Sequence, residues 1–253
     1  MKYYLLIIHI LKNIFKFHPR YLYLFRKNKN IIEKNTPKIQ KKNIFVITSC
    51  VNINESSEYP VHNANHTAGD RLNETIKGLK SIRENYSDSY IIFLESSNLS
   101  IDNIDQVKSL IDEYHNFSDL KAIRIARKHY NKGVPQFTAL INFFEINCNN
   151  YCADNFHILG ARYSLTTNIT KDKNFKPGAH FLYYSEYNNV STRYFLLREL
   201  SMVELIKPFR KTLYCALAGA SVEDFISDFF PKNDYLQKLG IVGLVNGEKL
   251  IDE

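Results

Sequence analysis

Short continuous runs of apolar residues alternate along the chain with stretches in which apolar residues recur every three or four positions. The continuous runs are rich in β-branched and aromatic residues, as residues 43–49 (NIFVITS) and 90–94 (YIIFL) illustrate, and such runs are typical of buried parallel strands. The periodic stretches predict amphipathic helices, of which the clearest covers residues 71–86, with Asp70 as its expected N-cap.

The whole pattern predicts an alternation of strands and helices. Strands are predicted over residues 43–49, 90–94, 120–126, 155–159, 181–184, 190–197 and 241–245. Helices are predicted over residues 71–86, 104–114, 136–146, 201–214 and 221–230, the last with Ser221 as its N-cap, and a turn at Asn246-Gly247. Such an alternation predicts the α/β class, with a mostly parallel sheet flanked by helices in one domain over residues 43–253.

Residues 1–42 form a separate basic, amphipathic segment. Their apolar run, residues 3–11, is shorter than the ~20 residues of a membrane-spanning helix, and its positive charges follow it rather than precede it, unlike a signal peptide. We interpret the segment as an aromatic and basic helix on an anionic membrane surface, followed by a charged linker over residues 26–42. The alternative is a helix packed on the domain, or a helical hairpin broken at Pro19.

The charge distribution separates the same two parts. The chain has 253 residues and a formal net charge of +7. Residues 1–42 contain 11 Lys and Arg but one Glu, whereas residues 43–253 contain 22 Lys and Arg against 25 Asp and Glu. The domain is therefore slightly acidic, which argues against nucleic acid as its partner.

The cysteines and histidines do not predict a metal site. The four cysteines are too few and too scattered for a disulfide framework, so they are expected to be plain thiols in a reducing compartment. His62 and His66 are spaced like zinc ligands on a helix, but the Glu of H-E-x-x-H is missing and their surroundings suggest a loop.

Candidate chemistry is expected where the parallel strands end. In open parallel sheets, ligands bind outside the carboxyl ends of the strands. The loops there contain Ser49-Cys50, Glu95-Ser96-Ser97 and Gly160-Ala161-Arg162-Tyr163. Because G-x-G-x-x-G, the P-loop pattern and G-x-S-x-G are all missing, the sequence disfavours dinucleotide-dependent dehydrogenases, ordinary methyltransferases, P-loop NTPases and α/β-hydrolases.

A first strand that ends in a small polar loop, and a second that ends in acid-x-Ser, resemble the nucleotide half of GT-A-type glycosyltransferases. Several short motifs resemble a bacterial and viral group of glycosyltransferase-like proteins, and this resemblance extends over residues 43–250. The motifs are R-L-x-E-T-I-x-x-L-x-S-I-R (residues 71–83), IIFLESS, Lys132-Gly133, GARY and Ser191-Thr192-Arg193. The resemblance implies a GT-A-like fold and a nucleotide-sugar donor, with the base held by Ser49, Cys50, Glu95 and Ser97.

The sequence departs from the GT-A pattern at two positions. Glu95 stands where these enzymes usually carry Asp, and no D-x-D, the motif that binds their Mg²⁺ or Mn²⁺, occurs in the chain. GARY stands about where D-x-D is expected, so cationic side chains are candidates to stabilise the diphosphate instead of a metal, and a site with Mg²⁺ or Mn²⁺ is the alternative. The candidates are Arg162, Arg71, Lys132 with Gly133, and Arg193.

Glu223-Asp224 resembles the acid pair that starts a late helix in many inverting GT-A enzymes, so either carboxylate is a candidate general base. Each candidate also has a plain structural interpretation, as a helix cap, a turn or an ion pair. The sequence thus favours a cytoplasmic, membrane-associated transferase on the inner face of the membrane, which uses a nucleotide sugar to build surface polysaccharide or glycolipid. The alternative is a catalytically silent binding module on the same fold, which the missing D-x-D supports.

Overall fold

The computed structural model describes residues 21, 23–24, 39–52, 67–171, 174–245 and 249–253. The strands are β1 Ile39–Ser49, β2 Tyr90–Glu95, β3 Glu113–Asn116, β4 Tyr151–Gly160, β5 Ser164–Leu165, β6 Gly178–Tyr184, β7 Asn189–Val190, β8 Tyr194–Arg198, β9 Asn233–Leu236, β10 Ile241–Val245 and β11 Lys249–Asp252. The helices are α1 Ala68–Asn85, α2 Ile101–Lys108, α3 Lys121–Ala126, α4 Gly133–Asn147, α5 Met202–Leu217 and α6 Val222–Phe225, followed by a 3-10 turn Ser227–Phe229.

The described strands form a large sheet and a small one. The large sheet has the order β3-β2-β1-β4-β8-β6-β7, with β9 also paired to β6. Strands β3, β2, β1 and β4 are mutually parallel, whereas β8 runs antiparallel to β4 and β6. The small sheet has the order β11-β10-β5. The predicted α/β class with a mostly parallel sheet and flanking helices is thus confirmed.

Helices cover both faces of the large sheet. Along β1 the alternating side chains divide between the two faces, so that Ile44 and Val46 pack into one core cluster and Phe45 and Ile47 into the other. The first cluster contains α4 and α5, and the second contains α1. Because both faces are buried, the central strands are continuously apolar, which is why the sequence predicted them correctly.

Residues 121–126 are a helix with Leu120 as its N-cap, so the strand predicted over residues 120–126 is wrong. Leu120, Ile123 and Ala126 recur every third residue, and the last two are buried while Lys121 and Arg124 are exposed. The strand next to β2 is instead β3, whose sequence EYHN shows no apolar run because it lies at the sheet edge and is only partly buried.

Other elements differ in their bounds. Thr67, rather than Asp70, is the N-cap of α1, and Asp70 completes the capping box by accepting from the Thr67 backbone N–H. The helix predicted over residues 221–230 is only α6 followed by the 3-10 turn, and residues 190–197 divide between β7 and β8. The predicted turn at Asn246-Gly247 lies outside the described residues.

Part of the N-terminal segment contacts the domain. Tyr21 and Leu24 are buried in the α4–α5 core cluster, and the Tyr21 hydroxyl donates to the Lys128 carbonyl at 3.1 Å. Strand β1 begins at Ile39, inside the stretch predicted as a linker. Among the residues that the structure describes, no helix has the length and apolar character needed to cross a bilayer.

A polar network lies inside the core between β1, β4 and β8. His157 is fully buried, with Nδ1 2.7 Å from the Tyr194 hydroxyl and Nε2 3.1 Å from Asn43 Oδ1. Its ring stacks on Phe45 with 4.1 Å between ring centroids. Burial lowers the pKa of His157 from 6.5 to about 3, so the imidazole stays neutral in the folded state over most of the acid range.

We expect His157 to make the fold sensitive to acid. Between pH 6.5 and pH 3 the unfolded chain protonates this side chain while the folded chain does not. The stability contribution is therefore complete above pH 6.5 and is lost as the pH falls, at roughly 1.4 kcal/mol per pH unit. Urea unfolding of wild type and His157→Phe at pH 6 and pH 4 measures the effect.

The comparison separates His157 from the other titrating groups, because the variant retains them all. His157→Phe is less stable at pH 6, since the Tyr194 hydroxyl loses its contact with the imidazole, but its stability falls by about 2 kcal/mol less between the two pH values. Equal losses of stability in the two proteins would show that His157 is not responsible.

Candidate functional site

The strand register brings the predicted site residues to one edge of the large sheet. Ser49 at the end of β1 pairs with Glu95 at the end of β2, and Thr48 pairs with Gly160 at the end of β4. The three loops that the sequence singled out therefore begin side by side, as expected for the carboxyl edge of parallel strands.

Glu95 is a fully buried carboxylate at this edge. Its Oε1 atom accepts from the Ser97 hydroxyl at 2.5 Å, from the Ser97 backbone N–H at 2.7 Å and from the Val51 N–H at 3.3 Å. Burial raises the pKa of Glu95, and the hydrogen bonds from Ser97, Ser49 and Val51 oppose that rise. Its Oε2 atom is shielded from solvent and has no hydrogen-bond partner among the described residues.

Ser97 and Cys50 complete the surroundings of this carboxylate. The Ser97 hydroxyl accepts from the Asn52 N–H at 2.9 Å, which ties the loop after β1 to the end of β2. Burial and the nearby Glu95 raise the pKa of the Cys50 thiol to about 11, so it stays protonated at neutral pH and is a poor nucleophile. All four cysteines are free in the structure.

Three cations lie together beside the loop that follows β4. Arg71 on α1 donates from Nη1 to the Cys50 carbonyl at 3.2 Å. Burial and the neighbouring Arg162 lower the pKa of Arg71, and burial, Arg162 and Arg71 lower the pKa of Lys132. No described carboxylate forms a salt bridge with any of the three. They therefore repel one another, and an anion bound among them would relieve that repulsion.

Two glycines allow the close approaches that hold this cluster. A Cβ at Gly78 on α1 would lie 2.7 Å from the Tyr163 carbonyl oxygen and 2.9 Å from that of Ala161, so α1 packs directly on the backbone around Arg162. A Cβ at Gly133 would lie 2.4 Å from Val222 Cγ1, so the residue after Lys132 packs on the start of α6. Lys132-Gly133 is thus the contact between the cation cluster and the acid pair on α6.

The acid pair is held by hydrogen bonds from two other segments. Glu223 accepts from the Thr192 hydroxyl at 2.8 Å and from the Ser221 hydroxyl, and Asp224 accepts from Asn189 Nδ2 at 3.4 Å. Asp224 has the longer and weaker contact, so it is the freer of the two carboxylates to accept a proton.

Arg193 is placed differently from the other predicted cations. Its Nη1 atom donates to Glu253 Oε1 at 2.6 Å and to the Tyr184 hydroxyl at 2.9 Å. Its carbonyl accepts from the Gly160 N–H at 2.9 Å, next to the GARY segment. The guanidinium is therefore neutralised within the fold, and its predicted contact with the diphosphate stays a prediction.

Sequence reasoning missed Arg127, which lies at the same edge. It follows α3 directly and donates from Nη2 to the Asn52 carbonyl at 3.2 Å. The loop after the strand predicted over residues 120–126 was not among the three loops in which chemistry was expected. The position of Arg127 directly after that predicted strand is the signal that could have found it.

The donor set does not fit the divalent cation that the family resemblance implies. Arg162 occupies the segment where D-x-D is expected, and Arg71 and Lys132 beside it are cations rather than oxygen ligands. In the described parts of the chain, no group of three or more His, Cys, Asp or Glu side chains is arranged to hold a metal. His62 and His66, where a metal site was not expected, lie outside those parts.

Solved structures with a similar fold include three glycosyltransferases. A galactosyltransferase, LgtC, with donor and acceptor sugar analogues is 10% identical over 76% of this chain and 72% of its own, with a TM-score of 0.46. The bifunctional glycosyltransferase WbbM is 8% identical over 80% of this chain and 40% of its own, with a TM-score of 0.48. The mannosyltransferase Ktr4p from S. cerevisiae is 10% identical over 88% of this chain and 72% of its own, with a TM-score of 0.37.

No protein-family model matches the chain, and no curated protein sequence does either. At 8–10% identity and with TM-scores below 0.5, these similarities carry no argument about the activity of this chain.

Proposed function

We propose that the chain is a glycosyltransferase that moves a sugar from a nucleotide-sugar donor to a surface-polysaccharide or glycolipid acceptor, with inversion and without a metal. The observation that carries the proposal is the juxtaposition, at one sheet edge, of the buried Glu95 carboxylate and the cations Arg71, Lys132 and Arg162, none of which forms a salt bridge with a described carboxylate. A nucleoside diphosphate has a base that can hydrogen-bond and a compact negative charge, so it complements both parts.

In the proposed complex the base lies beside Glu95, Ser97 and the loop that follows Ser49. The diphosphate lies among the three cations. A guanidinium can bind phosphate oxygens through two parallel hydrogen bonds, and charge-assisted bonds of this kind are about twice as strong as neutral ones. Arg162 and Arg71 would in this way replace the charge neutralisation that D-x-D and its metal supply in related folds.

In the proposed transfer step the acid pair and the cations have separate roles. Asp224, or Glu223, takes the proton of an acceptor hydroxyl, and the acceptor oxygen forms a bond to the anomeric carbon. The bond from that carbon to the diphosphate oxygen breaks, and the electron pair leaves with the nucleoside diphosphate. The charge that develops on the departing oxygen is stabilised by Arg162, Lys132 and Arg71.

One observation favours a second candidate, a silent module that binds nucleotide sugars without transfer. Both Glu223 carboxylate oxygens already accept hydrogen bonds, from Thr192 and Ser221, which leaves fewer of their lone pairs to receive the proton of an acceptor hydroxyl. The enzyme and the silent module share the donor site and differ only in the proton acceptor.

Thermal stabilisation by nucleotides and nucleotide sugars, with EDTA or with Mg²⁺ and Mn²⁺, tests the donor site. We expect a raised Tm with EDTA present, and a loss of that shift in Glu95→Ala. No shift with any nucleotide would contradict both candidates, and a shift only with metal would contradict metal independence. Hydrolysis or transfer of the donor sugar that disappears in Asp224→Asn, while the nucleotide shift remains, supports the enzyme over the silent module.

Residues 1–42 are included in the proposal as a peripheral anchor on the inner, cytoplasmic face of a membrane. Their excess of Lys and Arg, interleaved with aromatic residues, supports attraction to anionic headgroups. Co-sedimentation of the full chain with anionic vesicles at low salt, but not with neutral vesicles, is the expected result, and equal recovery with both would contradict the anchor.

A further inference from the structure

A basic stretch around α3 interrupts a domain that is acidic as a whole. Residues 120–144 contain no Asp or Glu, although acidic residues outnumber Lys and Arg over residues 43–253. The same stretch contains five cations, which are Lys121, Arg124, Arg127, Lys128 and Lys132. Arg127 and Lys132 lie at the candidate site, whereas Lys121, Arg124 and Lys128 are exposed outside it. A local concentration of positive charge on an acidic domain indicates an anionic partner.

The helix α3 directs these three exposed cations to one side. They are spaced three and four residues apart, so they lie opposite Ile123 and Ala126, which are buried in the core. The last turn continues as far as Lys128, whose N–H donates to the Ile125 carbonyl at 3.2 Å. Lys121 and Arg124 form no salt bridge with any described carboxylate, so their charge is available to a partner.

Two tyrosines border this row of cations. Tyr130 is 40% exposed, and its ring stacks on the buried His129 with 4.4 Å between ring centroids. The Lys121 amino group lies 5.0 Å from the centre of the Tyr23 ring. A tyrosine side chain has an apolar body and a polar tip, which suits it to the boundary between lipid headgroups and acyl chains.

The N-terminal segment joins the domain at the same place. Tyr21 donates to the Lys128 carbonyl at 3.1 Å, and its ring lies 4.7 Å from that of His129. Residues 1–20, whose sequence is basic, apolar and aromatic, are therefore attached to the domain beside Lys128. Two basic and aromatic parts of the chain thus meet at one surface of the molecule.

We propose that the α3 face, formed by Lys121, Arg124, Lys128 and Tyr130, contacts the anionic surface of a lipid bilayer. The inference deepens the proposed function and rests on its membrane anchor, because one bilayer has to meet both residues 1–42 and the domain. Attraction to anionic headgroups falls off within a Debye length, so the exposed cations of this face contribute only when the face itself lies against the bilayer.

The segment after α3 connects this face to the candidate site. Arg127 donates to the Asn52 carbonyl at 3.2 Å, at the loop that follows β1, and Lys132 lies beside Arg162. Contact through the α3 face therefore holds the carboxyl edge of the sheet near the bilayer. An acceptor carried by a lipid is presented from that surface, so this orientation favours a glycolipid acceptor over a free polysaccharide.

Co-sedimentation of the full chain with vesicles at low salt tests the α3 face. The vesicles contain phosphatidylglycerol and phosphatidylcholine, or phosphatidylcholine alone. We expect the triple variant Lys121→Gln, Arg124→Gln and Lys128→Gln to bind the anionic vesicles about tenfold or more weakly than wild type, because each basic residue near the surface adds to the attraction. Unchanged binding would overturn the inference and leave residues 1–42 as the anchor.

A second triple variant removes the same charge elsewhere. Lys77 and Lys80 are exposed on α1, and Lys171 is exposed in the loop whose Thr170 N–H donates to the Tyr86 hydroxyl, just after α1. Helix α1 packs on the opposite face of the large sheet from α3. We expect Lys77→Gln, Lys80→Gln and Lys171→Gln together to leave vesicle binding close to that of wild type, and equal losses in the two triple variants would overturn the α3 face.

Two further outcomes separate this inference from the proposed function. No binding of wild type to anionic vesicles would overturn both the anchor and the α3 face, whereas the nucleotide-induced rise in Tm tests the donor site independently. Binding of RNA that the α3 triple variant loses, without any binding to vesicles, would assign the face to nucleic acid and overturn the inference.

A fluorescent reporter locates the contact. The chain contains no Trp, so Tyr130→Trp introduces a single one at the α3 face. We expect its emission to move to shorter wavelength with anionic vesicles and to be quenched by brominated lipids. Tyr235→Trp is the matched control, because Tyr235 is 46% exposed on β9, which pairs with β6 towards the other end of the large sheet from β3. Equal quenching in the two variants, or quenching of Tyr235→Trp alone, would overturn the orientation.

Discussion

Arg210→Met is expected to lower the free energy of unfolding by about 3–5 kcal/mol. Arg210 on α5 donates from Nε to Glu145 Oε1 on α4 at 2.7 Å, and the two side chains are only 8% and 3% exposed. Removing the guanidinium takes away the positive charge that contacts this buried carboxylate in the helix–helix interface. Urea unfolding followed by circular dichroism at pH 7 measures the change.

Two controls separate the lost charge from lost packing. The double variant Glu145→Leu with Arg210→Met removes both charges, and we expect it to recover most of the stability, since an apolar pair of similar volume avoids desolvating charges. Arg198 pairs with Glu199 at 3.0 Å, with 28% and 48% of these side chains exposed. Arg198→Met should cost no more than about 1 kcal/mol. A similarly small effect of Arg210→Met would show that the buried pair is dispensable.

Arg162→Met is expected to lower kcat/KM for sugar transfer by about 100- to 1000-fold with little change in stability. In the proposed reaction Arg162 meets the charge that develops on the departing diphosphate, and removing one such preorganised donor typically has an effect of this size. No described residue forms a salt bridge with Arg162, so removing its charge leaves no described carboxylate without a counter-charge. Steady-state kinetics with the donor that gives the largest thermal shift provide the measurement.

Arg162→Lys is the conservative control for this prediction. It keeps the positive charge but loses the paired geometry of the guanidinium, so an intermediate loss is expected if charge and geometry both contribute. Full activity in Arg162→Met would remove Arg162 from the mechanism. Recovery of the Arg162→Met variant by Mg²⁺ would instead show that a metal can supply the missing positive charge.

The central strands and their shared edge could be predicted because their physical cause is local. Strands that are buried on both faces need continuous apolar runs, and such runs are visible in the sequences of β1 and β2. Parallel strands share a carboxyl edge, so the approach of Ser49 to Glu95 follows from two local assignments and one general rule.

The edge elements could not be predicted in the same way. Strand β3 is short and only partly buried, so its sequence has no apolar run, and the short amphipathic helix α3 contains enough Ile and Ala to imitate a strand. Arg127 follows this segment directly, but the loop there was not among the three in which chemistry was expected. The N-cap at Thr67 was missed for a related reason, because Asp70 serves the same capping box from inside the helix.

The sequence alone determined the α/β class, the strand–helix alternation and the set of polar loops at the strand ends. These features follow from hydrophobic periodicity, which depends only on residues that are close together along the chain. Only the tertiary structure decided which cations are paired. Arg193 meets Glu253, 60 residues away along the chain, whereas Arg71, Lys132 and Arg162 meet one another. Electrostatic partners depend on distances in space, which no local sequence pattern encodes. Those distances determine whether each charged side chain at the proposed donor site is paired within the fold or lies beside other cations.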